Sequence, residues 1–280
     1  MVETICICGA GTMGSSIAQA AAQHHFHVIL YDVSKGMLDK ARVAIDSNVQ
    51  TLVQKNKITA QAGTEILDRI QFVSDINDCL ADLVIEAIVE KPEVKVSLFN
   101  QLAQVNHSEA VFATNTSSLS VTAIAKQVRN PERVAGMHFF NPATIMKLVE
   151  VVATPMTNQQ TIDTIVETAR RMDKTTVHCQ DAPGFIVNHV ARPYYLEALR
   201  LAEQGVTDFQ TIDTLLEASG FKMGPFRLMD LIGNDINYAV SCQVYDALDK
   251  PARLQPSPIQ HERVEKGELG RKTGKGYYEY

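Results

Sequence analysis

His138 stands at the end of one apolar run, RVAGMHF (133–139), and Glu150 stands inside the next, MKLVEVVA (146–153). Leu148, Val149, Val151 and Val152 flank the glutamate, so its segment reads as a buried strand in which an unpaired carboxylate would be costly. An imidazole is a natural partner for such a group. A histidine held by a carboxylate can take a hydroxyl proton while hydride leaves the same carbon. A strand-end histidine without that partner would read as structural. A further polar group is Ser117 in ATNTSSLS, just after the strand-like run AVFATN (110–115). Serines in this stretch also read as a cap for the helix SVTAIAKQV.

The elements that must carry these groups begin near the N-terminus. TICICG (4–9) reads as a strand, GAGTMG as a turn, SSIAQAAAQHH as an Ala-rich helix and HVILYD (27–32) as a second strand. That is a βαβ opening, the context a GxGxxG motif needs to be informative. Gly9 permits the tight turn, Gly11 lets a pyrophosphate approach the backbone, and Gly14 lets helix and strand pack closely. Ala10, Thr12 and Met13 complete the loop, whose N–H groups face the phosphates. Asp32 ends the second strand, about 20 residues on, where a carboxylate binds ribose hydroxyls and repels a 2′-phosphate. NAD is therefore expected rather than NADP.

Helices at about 34–57 and 92–105 and strands at 81–88, 110–115, 133–139 and 146–153 extend the alternation. The expected fold is α/β, a Rossmann-type doubly wound, mostly parallel sheet, with the last two strands antiparallel across the short Asn141-Pro142 link. After CQDAPGF (179–185) the pattern turns helical, with Gly205, Gly220 and Gly233 at helix ends. The expected division is an NAD-binding domain over 1–182 and an all-helical domain over 183–280.

Composition narrows the function classes. The 280 residues are 45% hydrophobic and 21% charged, with a net charge of -6, and no basic run suggests a nucleic-acid or anionic-membrane partner. No apolar stretch approaches the ~20 residues of a membrane span. The opening MVETICICGAG lacks a basic flank and cleavage site, so a cytoplasmic location is expected. Five scattered cysteines show no zinc or disulfide spacing; reduced thiols and no metal are expected.

The segments GAGTMG, TNTSSLS, GMHFFNPATIMKLVEVV, DAPGFIVN, GPFRLMDLIG and GRKTGKGYYEY together resemble the short-chain L-3-hydroxyacyl-CoA dehydrogenases, the 3-hydroxybutyryl-CoA enzymes included, over essentially the whole chain. The resemblance implies NAD-dependent interconversion of 3-hydroxyacyl-CoA and 3-ketoacyl-CoA, as in fatty acid β-oxidation, by a homodimer whose helical domain dimerises and helps cover the substrate. It implies His138 as general base, Glu150 as its orienting partner, and Ser117 and Asn188 on the reacting oxygen. It adds Glu90, Lys95, Ser117, Asn141 and Lys272 to the cofactor contacts, and Asn48 and Lys55, with Lys57 assisting, to the CoA side. The sequence departs from the family pattern at His189, where arginine is customary, at Ser16, where glycine is common, and at Asn48, where some relatives carry serine. Two rival readings are an NAD-dependent β-hydroxyacid dehydrogenase acting on a free acid and a non-catalytic NAD-binding protein. The first would use a catalytic lysine and leaves the His138–Glu150 arrangement unexplained.

Overall fold

The computed structural model describes residues 1–280, which separate into two compact units, Met1–Ala182 and Pro183–Tyr280. The first is built on an eight-stranded sheet in the order β3-β2-β1-β4-β5-β6-β7-β8. Its strands are β1 (Thr4–Cys8), β2 (His27–Tyr31), β3 (Ile70–Val73), β4 (Leu83–Glu86), β5 (Val111–Thr114), β6 (Val134–Phe139), β7 (Leu148–Ala153) and β8 (Thr175–Gln180). All neighbours run parallel except β6 and β7. This is the doubly wound architecture expected from the sequence, with the antiparallel pair where the Asn141-Pro142 link suggested it.

Parallel strands buried on both faces need continuous apolar runs. β1, β4, β5 and β6 supply them, with Ile5, Ile7, Leu83, Ile85, Phe112 and Val134 fully buried. The helices α1 (Thr12–Gln23), α2 (Lys35–Gln54), α3 (Ala60–Asp68), α4 (Pro92–Val105), α5 (Val121–Ala125) and α6 (Gln159–Arg171) belong to the same unit. Because β1, β2, β4, β5 and β6 share a direction, the segments that follow them all leave the sheet at one edge. In a doubly wound sheet that edge is where ligands bind. All five cysteines are free, and no cluster of side chains could hold a metal ion. No helix is long and apolar enough to cross a membrane.

The second unit is helical: α7 (Val187–Glu203), α8 (Phe209–Ala218), α9 (Pro225–Ile232), α10 (Asn234–Ala247) and α11 (Pro258–Glu265). Leu196, Leu199, Phe226, Met229, Val244 and Tyr277 form its core. Two buried carboxylates tie the C-terminal segment to it. Asp213 accepts the N–H groups of Phe226 (2.9 Å) and Arg227 (3.0 Å), capping α9, and the Tyr278 hydroxyl (2.8 Å). Asp230 accepts the N–H groups of Tyr277 (2.9 Å) and Tyr278 (3.0 Å) and the Tyr280 hydroxyl (3.1 Å). A buried carboxylate needs several such donors, and the C-terminal segment provides one to Asp213 and three to Asp230.

Gly276 is part of this latch by contact rather than by backbone angle, since a Cβ there would lie 2.0 Å from Asp230 Oδ1. Gly276→Ala is therefore expected to destabilise the unit by about 2 kcal/mol or more, the cost of overpacking a filled site. Urea unfolding followed by circular dichroism measures this, and an unshifted midpoint would show that the latch is loose.

Candidate active site

The glycine loop is fixed by contacts that only glycine tolerates. Gly9 has φ +105°, and a Cβ on it would meet the Ala87 carbonyl oxygen at 2.6 Å. A Cβ on Gly14 would fall 1.7 Å from the Gly9 carbonyl oxygen, so α1 can start this close to β1 only without a side chain. At Gly11, the N-cap of α1, a Cβ would meet nothing within 4 Å. The loop is thus tight where it packs on the sheet and open where a pyrophosphate would approach, which fits a dinucleotide at this helix N-terminus. Thr12 is exposed, while Ala10 and Met13 are wholly or partly buried. Asp32 lies just past β2; its Oδ2 accepts the Ala10 N–H (2.8 Å) and its Oδ1 the Ser34 N–H (2.9 Å). These bonds hold the carboxylate beside the loop, where it can also accept ribose hydroxyls.

Beside the loop, a cavity of about 350 Å³ is lined by Gly11, Thr12, Ser16, Lys40, Asn48 and Asn141, among others. Asn48 and Asn141, expected on opposite sides of the reaction as CoA and cofactor contacts, share this cavity. Asn48 Nδ2 donates to Gln19 Oε1 at 3.3 Å, joining α2 to α1. Lys55 caps the C-terminus of α2, two turns after Asn48, and is exposed, as is Lys57. The departure at Ser16 also lines this cavity, and its hydroxyl is buried without a hydrogen-bond partner.

His138 and Glu150 face each other across the antiparallel β6–β7 pair, in direct register. Opposed residues present their side chains on one face of the sheet. His138 Nδ1 lies 2.7 Å from Glu150 Oε2; the histidine is 5% exposed and the glutamate 0%. The Phe140 ring packs on the imidazole with centroids 4.6 Å apart. With Nδ1 turned to the carboxylate, Nε2 is the nitrogen placed for proton exchange.

Ser117 lies in the segment after β5, next to β6 in the sheet. Asn115, which sequence reasoning passed over, joins the two strand ends: its Oδ1 accepts the Phe139 N–H at 2.8 Å. Glu90 organises the Ser117 segment by accepting the Thr116 hydroxyl, the Ser117 N–H (3.3 Å) and the Ser118 hydroxyl (3.3 Å). Burial alone would push the Glu90 carboxyl up. Lys95 and the donors from Thr116 and Ser117 outweigh that and hold it below the usual carboxylate range.

Two expected cofactor contacts have other partners. Lys95, 1% exposed, does not present its ammonium at the surface: Nζ sits 2.6 Å from Glu86 Oε1 and 3.0 Å from Glu90 Oε2. Lys272, in the C-terminal segment of the second unit, is held by Asp235 at 2.6 and 2.7 Å. Glu86 itself was not anticipated. Yet it interrupts the apolar run ADLVIEAI as Glu150 interrupts MKLVEVVA, so the signal was present. Asn188 occupies the first turn of α7, and His189, the other departure there, turns Nδ1 to the Pro183 carbonyl at 3.0 Å.

The 3-hydroxyacyl-CoA dehydrogenase NAD binding domain model matches residues 4–182, and the C-terminal domain model of that family matches residues 184–280. The chain is 47% identical over its whole length to 3-hydroxyadipyl-CoA dehydrogenase of Escherichia coli K12, but spans only 59% of that relative. It is 38% identical to the mitochondrial hydroxyacyl-coenzyme A dehydrogenase of Sus scrofa, again over its whole length, and covers 92% of it. Among solved structures it matches an (S)-3-hydroxybutyryl-CoA dehydrogenase from Ralstonia eutropha at 33% identity, covering 100% of this chain and 99% of that one with a TM-score of 0.94. A glycine loop fitted to a dinucleotide, an imidazole–carboxylate pair and both family domains in order lead to one conclusion: the chain belongs to the 3-hydroxyacyl-CoA dehydrogenase family.

Proposed function

We propose that this protein interconverts (S)-3-hydroxyacyl-CoA and 3-ketoacyl-CoA with NAD. The observation that carries the reading is the buried His138–Glu150 pair, at the sheet edge that also bears the dinucleotide loop. Bound NAD supplies the hydride acceptor. His138 takes the substrate hydroxyl proton on Nε2 during oxidation and returns it during reduction. Glu150 fixes the ring through Nδ1 and balances the imidazolium that forms. Ser117 and Asn188 donate hydrogen bonds to the reacting oxygen and place the substrate. Gly9–Gly14, Asp32 and Glu90 hold the cofactor, with Ser117 and Asn141 beside it, and Lys95 acts through Glu90. Lys272 would have to exchange Asp235 for the cofactor to contribute. Asn48 and Lys55 serve the CoA moiety. The helical unit, residues 183–280, forms a homodimer and helps cover the substrate, and the enzyme works in the cytoplasm in β-oxidation of acyl-CoA thioesters. The name of the E. coli relative, a 3-hydroxyadipyl-CoA dehydrogenase, also makes a dicarboxylic acyl chain a candidate.

NADH absorbance with 3-hydroxybutyryl-CoA, 3-hydroxyadipyl-CoA and free 3-hydroxybutyrate tests this directly. Turnover of a thioester but not of the free acid is expected, from a species that sediments as a dimer. Equal turnover of the free acid would favour a β-hydroxyacid dehydrogenase, and no turnover would favour a non-catalytic NAD-binding protein.

Asp32→Ala should weaken NAD binding by ~1–3 kcal/mol through loss of charge-assisted hydrogen bonds to the ribose. NADP should lose less, or gain. Titration of both cofactors checks this, and equal losses would mean that Asp32 does not read the ribose.

A further inference from the structure

The charges beneath the Ser117 segment do not cancel. Glu86, at the end of β4, is fully buried, and Lys95, early in α4, is 1% exposed. The Lys95 ammonium lies between Glu86 Oε1 and Glu90 Oε2, at 2.6 and 3.0 Å. Two carboxylates thus share one cation, and no other ammonium or guanidinium stands within ion-pair distance of either. The remaining partners are neutral donors. Glu86 accepts the Ile88 N–H (2.8 Å) and the Thr114 hydroxyl (2.7 Å), and Glu90 accepts donors from Thr116, Ser117 and Ser118. The cluster therefore carries a net charge of −1; water is kept from Glu86 and Lys95, while Glu90, with a third of its side chain accessible, opens it toward the surface.

Hydride transfer would change the charge of a bound nicotinamide. The hydride brings two electrons and a proton to the nicotinamide and removes its positive charge, while the hydroxyl proton goes to His138 and the alcohol carbon becomes a ketone. We propose that Glu86, Lys95 and Glu90 act as one anionic group, buried at Glu86 and Lys95 and accessible at Glu90, that favours the cationic, oxidised nicotinamide over the neutral, reduced one. Glu86 and Lys95 set the charge, and Glu90, the member that reaches the Ser117 segment, presents it. The inference rests on the reading that Glu90 and Ser117 lie on the cofactor side. Its consequence appears in nucleotide binding without substrate, where the nicotinamide charge differs between the two forms and His138 gains no proton. Glu86 and Lys95 are then charge-setting residues that need not touch the cofactor, which accounts for a lysine so deeply buried beside a ligand site.

The test is the ratio of dissociation constants, Kd for NAD+ over Kd for NADH, measured by fluorescence titration and competition without substrate. Glu86→Gln brings the cluster to zero charge and should raise the ratio on the order of tenfold, because one negative charge is lost from a site of low effective dielectric. The double variant Glu86→Gln/Lys95→Met leaves Glu90 alone, restores −1, and should return the ratio to that of the unmodified protein. Thr114→Val removes a hydrogen bond to Glu86 but no charge, and should leave the ratio unmoved. Equal loss of affinity for both forms in Glu86→Gln would reduce the cluster to a loop support and overturn the proposal. So would a double variant that keeps the ratio of the single one. An unmodified protein that binds neither nucleotide would instead sink the functional reading beneath it.

Discussion

A fully buried carboxylate in the middle of a strand constrains everything around it. Desolvating such a group costs on the order of several kcal/mol, recovered only by good geometry and enough donors. Glu150 meets that requirement through the antiparallel β6–β7 register, which sets it directly opposite His138 with Oε2 at 2.7 Å from Nδ1. One residue of slip would send the two side chains to opposite faces of the sheet. The apolar neighbours Val149, Val151 and Val152 lock that register by packing into the core. The pair, the strand direction and the hydrophobic pattern are therefore one constraint expressed three ways.

The rest of the sheet edge is arranged to the same end. β5 and β6 run parallel, so the Ser117 segment and the His138 strand end leave the sheet side by side, joined by Asn115 on the Phe139 N–H. The glycine loop follows β1, and Asp32, just past β2, accepts the Ala10 N–H. Ionic clusters with buried members recur at this edge, first His138–Glu150 and then Glu86–Lys95 with the more accessible Glu90. Such clusters are poor sources of stability compared with apolar packing of the same volume. Their concentration at the ligand-binding end of a doubly wound sheet is what the proposed hydride and proton transfer would need.

The sequence disclosed the interior of the sheet better than its borders. β1, β2 and β4–β7 are visible because a strand buried on both faces needs a continuous apolar run. β3 and β8 escape because they are the edges: IQFV exposes Gln71, and TTVHCQ is polar and partly exposed along its length. α3 is hidden because the break after α2, at Asn56 with φ +51°, carries no glycine or proline to announce it. In the site, Glu150 and the glycine loop were legible from residue type and context alone. Asn188, Lys55 and Glu90 needed the family resemblance, since a polar residue at a helix or loop end has many ordinary uses. Lys95 shows the limit of that route: the motif locates the residue, but only the folded sheet reveals that its ammonium meets Glu86.

The central claim is that His138 and Glu150 work as one unit, and a double-mutant cycle on kcat tests it most directly. The unmodified protein, Glu150→Gln, His138→Gln and the double variant would be assayed in both directions, with NAD affinity as a control for folding. Each single change is expected to lower kcat by ~10²-fold or more with NAD affinity kept, and the double variant to be little worse than His138→Gln, because residues acting together are not additive. Near-normal turnover in Glu150→Gln, or losses that multiply, would contradict the account and leave Glu150 as a structural carboxylate.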